Sequence, residues 1–283
     1  MKKLVDAGPS TRGWHGFEMA ARCMRWYAFN KVDRKGFGLS LPLVKGSLFH
    51  AGLANYYARR QDPEGADQYY EACEAVRAMA QAEADKASDP NEASMWLSSV
   101  PIIISALLDY KERYEECSWK IVAVEKELVA HIPRLEEDTG EGDTFLYTQR
   151  ADLIVRDVQG FGWIVDHKTA YRITSSTLRQ YCLSGQFLGY QIFGRKMFGA
   201  KFGGVILNRV KLSTPHQFDR CALEPAPQAV TDFVKTLKQI ESRISRYADR
   251  KTGMDYPPVF SDQTCYGKYG PCPAFELCRW GDE

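Results

Sequence analysis

The chain has 283 residues, 45% hydrophobic and 26% charged, which supports a core of its own and excludes a mostly disordered protein. Lys and Arg number 37 against 36 Asp and Glu, so nucleic-acid contact has to come from a local basic patch, not a global field. The start, MKKLVDAGPSTRGW, has no apolar run after its lysines, and the longest apolar stretch, Val100 to Leu108, is too short to span a bilayer. Both point to a cytoplasmic chain without a membrane partner, whose eight cysteines serve as thiols or metal ligands rather than disulfides.

The first third reads as helical. Phe17, Ala20, Ala21, Met24, Tyr27 and Ala28 repeat at helical spacing over Gly16 to Asn30. Ser40-Leu-Pro42 opens a second helix that runs from Leu43 to about Arg60 and carries His50. Asp62-Pro63-Glu64-Gly65 punctuates, a helix follows to about Ala87, Ser88-Asp89-Pro90 breaks it, and Asn91 to Tyr110 is helical again. The middle changes period. Ile121, Ala123, Glu125, Glu127 and Val129 alternate with Val122, Val124, Lys126 and Leu128, a strand pattern. Asp152 to Val158 and Gly162 to Thr169 are two more strands, joined by a turn at Gln159-Gly160. A helix from about Ser175 to Phe198, a strand from Phe202 to Leu212 and a helix from Pro225 to Arg250 complete the pattern. Thr252 to Glu283 is rich in Pro, Gly, Cys and aromatics and has no clear period.

Folding the chain about Gln159-Gly160 sets Asp152 roughly opposite Asp166 to Lys168. Asp166 and Lys168 are two apart, so both leave the same face of their strand. They follow the apolar run Trp163-Ile164-Val165, where a carboxylate and a lysine need a reason. Two close aspartates repel, and a divalent cation such as Mg²⁺ or Mn²⁺ relieves the repulsion. Such a cation acidifies water and stabilises charge on a phosphate, with Lys168 beside it. Strand-end aspartates with Lys168 paired to one of them give the same spacing.

The order of motifs resembles the PD-(D/E)XK nuclease superfamily in its RecB-like branch, which includes CRISPR-associated exonucleases and AddB-type nuclease domains. Gly46-Ser47-Leu48-Phe49-His50 is similar to the branch's GxxxH helix, Ala151-Asp152-Leu153-Ile154 to its acidic strand, Val165-Asp166-His167-Lys168-Thr169 to its (D/E)xK strand, and Gln186 to Tyr190 to its QxxxY helix. The resemblance implies that His50, Asp152, Asp166 and the backbone carbonyl of His167 hold Mg²⁺ or Mn²⁺ and that Lys168 assists the attacking water. It also implies that Gln186 and Tyr190 meet the DNA backbone. Arg172 and Arg179 flank that helix as candidate phosphate contacts. Of two glutamates where related enzymes carry another acid, Glu125 and Glu127, the reading prefers Glu127. The strand departs from the family where Gln149-Arg150-Ala151 replaces a glycine before the acidic ligand.

Cys265-x6-Cys272-x5-Cys278 in the tail and Cys23 in Ala21-Arg22-Cys23-Met24-Arg25-Trp26-Tyr27 resemble the cysteine set of the branch's iron–sulfur members. The resemblance implies a [4Fe-4S] cluster joining the chain ends; a Cys₄ zinc site is the alternative. Cys73, Cys117, Cys182 and Cys221 read as packed thiols. The expected fold is α/β, a mixed central sheet flanked by helices. It forms a single nuclease domain over 1–283, with a helical insertion over 62–117 and a Cys-rich tail over 252–283 joined to the N-terminal helix. The expected function is a metal-dependent deoxyribonuclease acting on single-stranded ends as an exonuclease. The alternatives are an endonuclease or resolvase, and a non-catalytic DNA-binding module.

Overall fold

Val44, Leu48, Phe49 and Leu53 recur at helical spacing, and all four are buried, so this stretch folds as a helix with one face in the core. The structure, a computed structural model, describes residues 10–35, 39–60, 67–136, 143–223, 226–267 and 270–281. The expected break at 62–65 lies outside these residues. The helix is α3 (Leu41–Arg60), preceded by α1 (Trp14–Arg22) and α2 (Met24–Lys31) and followed by α4 (Gln68–Lys86) and α5 (Pro90–Arg113). The side chains of Asp67 and Asp89 cap α4 and α5, and Pro90 opens the latter. By length and composition α5 suffices to cross a membrane, with a mean hydropathy of 1.3 over its best 18 residues. Val100 to Leu108 understates it. Its Trp96, Ile103, Ala106, Leu107 and Tyr110 are buried in the core that α3 and α4 share.

Two helices expected to be continuous are broken. Cys23 is extended, with φ −160° and ψ 121°, and separates α1 from α2. Residues 175–198 divide into α6 (Ser175–Cys182) and α7 (Gly185–Phe198), because Ser184 is extended between them. Cys23 does not announce such a backbone, whereas Ser184-Gly185 is a turn-type pair with a residue that commonly caps helices.

Five strands form one sheet in the order β1 (Lys120–Pro133), β2 (Thr144–Arg156), β3 (Gly162–Thr169), β4 (Phe202–Lys211) and β5 (Gln217–Leu223). β2 and β3 are antiparallel, β3 and β4 parallel, β4 and β5 antiparallel, so the sheet is mixed, as expected. The parallel pair needs a crossover, which α6 and α7 supply. β5 was not foreseen: of its seven residues only Leu223 is fully buried, so it has no apolar face to read. A further helix, α8 (Pro227–Ser245), precedes the tail, which holds α9 (Asp262–Cys265), β6 (Tyr266–Gly267), β7 (Gly270–Pro271) and α10 (Phe275–Trp280).

The chain divides into two compact units, and β1 and β2 pass from one to the other after Leu128 and before Arg150. One unit holds α3 to α7 and β3 to β5; its core joins Val44, Leu48 and Phe49 of α3 to Leu153, Val165 and Val210 of the sheet. The other holds α1, α2, α8 and the tail. There Phe17 packs on Phe145 and Tyr147, Trp14 on Phe233, and buried Glu241 pairs with Arg12 at 2.5 Å and Arg134 at 3.0 Å.

Candidate active site

The β2–β3 hairpin turns at 157–161, where Gly160 takes φ 85° and the Asp157 carboxylate accepts from the Phe161 N–H. Its register runs from Arg156–Gly162 to Leu153–Val165, one step short of Asp152 and Asp166. The two aspartates are therefore neighbours across the hairpin. Asp152 Oδ2 accepts from the His167 backbone N–H at 2.7 Å. Helix α3 brings the third group. A Cβ on Gly46 would sit 3.3 Å from Thr169 Oγ1, so glycine lets α3 lie close on β3. His50, one turn later on the same face, puts Nδ1 3.5 Å from Asp152 Oδ2.

Asp166 is 0% exposed, and a buried carboxylate persists only with partners. Lys168 Nζ lies 2.6 Å from Oδ2. Gln186 Nε2 donates to Oδ1 at 2.8 Å, and the Tyr190 hydroxyl stands 3.0 Å from Oδ1 and 2.7 Å from the Arg150 carbonyl. Tyr190 is itself fully buried. Where the sequence has it meeting DNA, the structure buries it: the Gln186–Tyr190 face of α7 hydrogen-bonds Asp166.

Burial raises the Asp152 carboxyl above its ordinary range, and the charge of Asp166 adds to that; His50, Lys168 and the His167 amide oppose it. Burial disfavours the Lys168 ammonium, but Asp166 and Asp152 outweigh it and hold its pKa up. Burial, with His50, Arg220 and Lys168, holds His167 well below the usual imidazole range. That ring points into the core, 2% exposed. In a strand the N–H and C=O of one residue leave the same edge. The His167 carbonyl therefore faces the β2 side, where its N–H meets Asp152.

On β1, among the described residues, it is Glu125 rather than the preferred Glu127 whose carboxylate lies near His50 and Asp152. Ligand atoms of His50, Glu125 and Asp152 all lie within 4.8 Å of one another. The reason is a backbone irregularity. Glu125 takes φ 48°, which a side chain with a Cβ adopts at a cost of roughly 1–2 kcal/mol. Across it the burial alternation changes phase: Ile121 and Ala123 face inward before it, Leu128, Ala130 and Ile132 after it. A bulge re-aims a side chain in this way. Uninterrupted alternation, on which Glu125 and Glu127 share a face, hides it.

Arg172 and Arg179 are exposed, Arg172 in the segment after β3 with its guanidinium 5.6 Å from the Tyr171 ring, Arg179 in the last turn of α6. Neither joins the carboxylate cluster.

In the other unit, Cys23, Cys265, Cys272 and Cys278 line one cavity of about 320 Å³ with Trp26, Phe260 and Phe275. The break at Cys23 turns its backbone there. Arg22 and Arg25 donate to the carbonyls of Thr264, Tyr256 and Met254, and Asp33 accepts from the Gly253 N–H; these bonds pin the tail to α1 and α2. Burial raises the thiols of Cys272 and Cys278, and the neighbouring cysteines push the same way. The buried Nε1 of Trp26, which lines this cavity, has no hydrogen-bond partner among the described residues. Cys73, Cys117, Cys182 and Cys221 are not among the residues that line it.

No curated protein matches the chain significantly. Among solved structures, a candidate exonuclease from Eubacterium rectale superposes with a TM-score of 0.53 at 12% identity, covering 94% of this chain and 86% of its own. SSO0001 matches at a TM-score of 0.32 and 13% identity, over 58% of this chain and 69% of its own, too low to bear on the fold. The family profile described as the PD-(D/E)XK nuclease superfamily matches residues 16–279, nearly the whole chain, across both units. The chain belongs to the PD-(D/E)XK nuclease superfamily.

Proposed function

We propose that the chain is a Mg²⁺- or Mn²⁺-dependent deoxyribonuclease of the RecB-like branch that shortens single-stranded DNA from an end. The observation that carries the reading is the convergence of His50, Glu125 and Asp152 within 4.8 Å, beside the buried Asp166–Lys168 pair. An imidazole with several carboxylates is a donor set that hard divalent cations accept. Asp152 and Asp166 are like charges in a buried hairpin, and a cation relieves them. His50, Asp152, Asp166, the His167 carbonyl and Glu125 would hold it. When bound, the ion supplies Lewis acidity toward the scissile phosphate and the attacking water.

The protein's own groups do the rest. Lys168 stays charged and can orient the water or steady negative charge building on the phosphate. Gln186 and Tyr190 keep Asp166 aimed. Arg172 and Arg179 offer exposed guanidinium groups to the strand's phosphates. End-directed action follows the RecB-like resemblance and the likeness to a candidate exonuclease.

Four thiols around one cavity fit a [4Fe-4S] cluster. The resemblance to the branch's iron–sulfur members favours a cluster over a lone zinc ion. Trp26, whose buried Nε1 is unpartnered among the described residues, lines the same cavity. The cluster would hold the tail against α1 and α2.

The test uses end-labelled linear and circular DNA, single- and double-stranded, with Mg²⁺, Mn²⁺ or EDTA. The expected result is metal-dependent shortening of linear single strands, intact circles, and no reaction in EDTA. Nicked circles would make it an endonuclease or resolvase; binding without cleavage would make it a DNA-binding module.

A further inference from the structure

His167, Asn208 and Arg220 lie side by side across three strands: His167 of β3 is registered with Asn208 of β4, and Asn208 with Arg220 of β5. Their side chains make a continuous polar chain through the core. The Asn208 amide nitrogen is 2.7 Å from His167 Nδ1 and donates to the Tyr110 hydroxyl at 3.1 Å. Arg220 Nη2 donates to that hydroxyl at 2.9 Å and to the Tyr57 hydroxyl at 3.0 Å, and the two hydroxyls are 2.8 Å apart. Asn208 is 0% exposed.

The anchor is unusual. Among the described residues no carboxylate lies within 4.0 Å of the Arg220 guanidinium. Its charge is met by rings instead, with Cζ 3.3 Å from the centroid of Tyr114 and 4.3 Å from that of Trp119. A strut that only filled space would be served at lower cost by an apolar side chain, since buried polar chains gain little net stability. This chain ends on a ring that is held on its other sides as well. His167 stacks on Tyr57 at 5.9 Å and 6°, and meets Tyr110 edge-on at 6.5 Å. The backbone of the same residue donates to Asp152.

We infer that Arg220, Tyr110 and Asn208 are positioning residues that fix the His167 peptide, and through it Asp152, in the geometry a divalent cation needs. The inference rests on the metal-centre reading above. Groups that orient the ligands of a metal, without touching it, typically change its affinity by about 10–100-fold when removed.

The test measures Mn²⁺ binding calorimetrically, without DNA, in the wild type and in Tyr110→Phe, Asn208→Leu and Tyr114→Phe. Tyr110→Phe keeps the ring and removes the hydroxyl that links Arg220 to Asn208. Tyr114→Phe keeps the ring over Arg220 and changes nothing in the chain. The expected result is a roughly tenfold or greater loss of Mn²⁺ affinity in the first two, with unchanged affinity in Tyr114→Phe. Turnover should fall in the same two, with KM for DNA unchanged. Mn²⁺ affinity within twofold of wild type in folded Tyr110→Phe would overturn the inference, whatever Asn208→Leu does to folding. An equal loss in Tyr114→Phe would reduce the chain to general stability and overturn it too. A wild type that binds no Mn²⁺ refutes the metal centre itself, a different and visible failure.

Discussion

Asp166→Asn should abolish cleavage and leave the fold in place. The amide matches the carboxylate in shape, so its oxygen can still accept from Gln186 and Tyr190. What it lacks is the charge that a cation and Lys168 both use. Its NH₂ would also face the Lys168 ammonium, donor against donor. Lys168 is 27% exposed and can turn to solvent, so the stability cost should stay at about 1–3 kcal/mol. The loss of turnover should be on the order of 10³-fold or more, the scale of removing one charge-stabilising group from a reacting centre. Lys168→Ala should also lose turnover, but with less effect on Mn²⁺ affinity. Measured kcat, with circular dichroism as the folding control, decides the matter. Retained cleavage in a folded Asp166→Asn protein would remove the hairpin as the active site.

Cys272→Ser should have the largest effect outside that hairpin. Its backbone N–H bonds the Cys265 carbonyl and its own carbonyl accepts from the Phe275 N–H, so it sits at the centre of the tail's local structure. Protein made without oxygen should be brown, absorb near ~400 nm and bleach on reduction, as iron–thiolate clusters do. Cys272→Ser should lose that colour, and the melting temperature should drop, because a group bound only in the folded state stabilises it. Cleavage should suffer through stability rather than chemistry, since all four cysteines belong to the other unit. Iron and sulfide analysis is the check. Zinc without iron would make the site a Cys₄ zinc clamp, and a colourless, metal-free wild type would leave the cysteines as packing.

Much of the site could be read from sequence because it is local. Trp163-Ile164-Val165 marks a buried strand, and Gly162 and Thr169 bound it in the structure as they do in the pattern. GxxxH is legible because residues four apart on a helix share a face. What was hidden depends on backbone states or on register. The left-handed φ of Glu125 falls on a residue type that gives no warning of it, and a regular alternation, with Glu125 and Glu127 on one face, cannot tell the two apart. The extended Cys23 likewise breaks a helix whose apolar repeat runs straight through it. The Asn208–Arg220 chain exists only once β3, β4 and β5 are aligned, and β5 shows no apolar face by which to align it. Tyr190 was visible as a motif, but its direction was not: burial turns the hydroxyl inward to Asp166.

The most direct test of the account is a crystal of the protein soaked in Mn²⁺ and measured for anomalous scattering. The expected result is one peak within about 2.6 Å of His50, Asp152 and Glu125 ligand atoms, with Asp166 and the His167 carbonyl beside it. A peak coordinated by Glu127 with Glu125 turned away, or a well-ordered hairpin with no peak at saturating Mn²⁺, would contradict it.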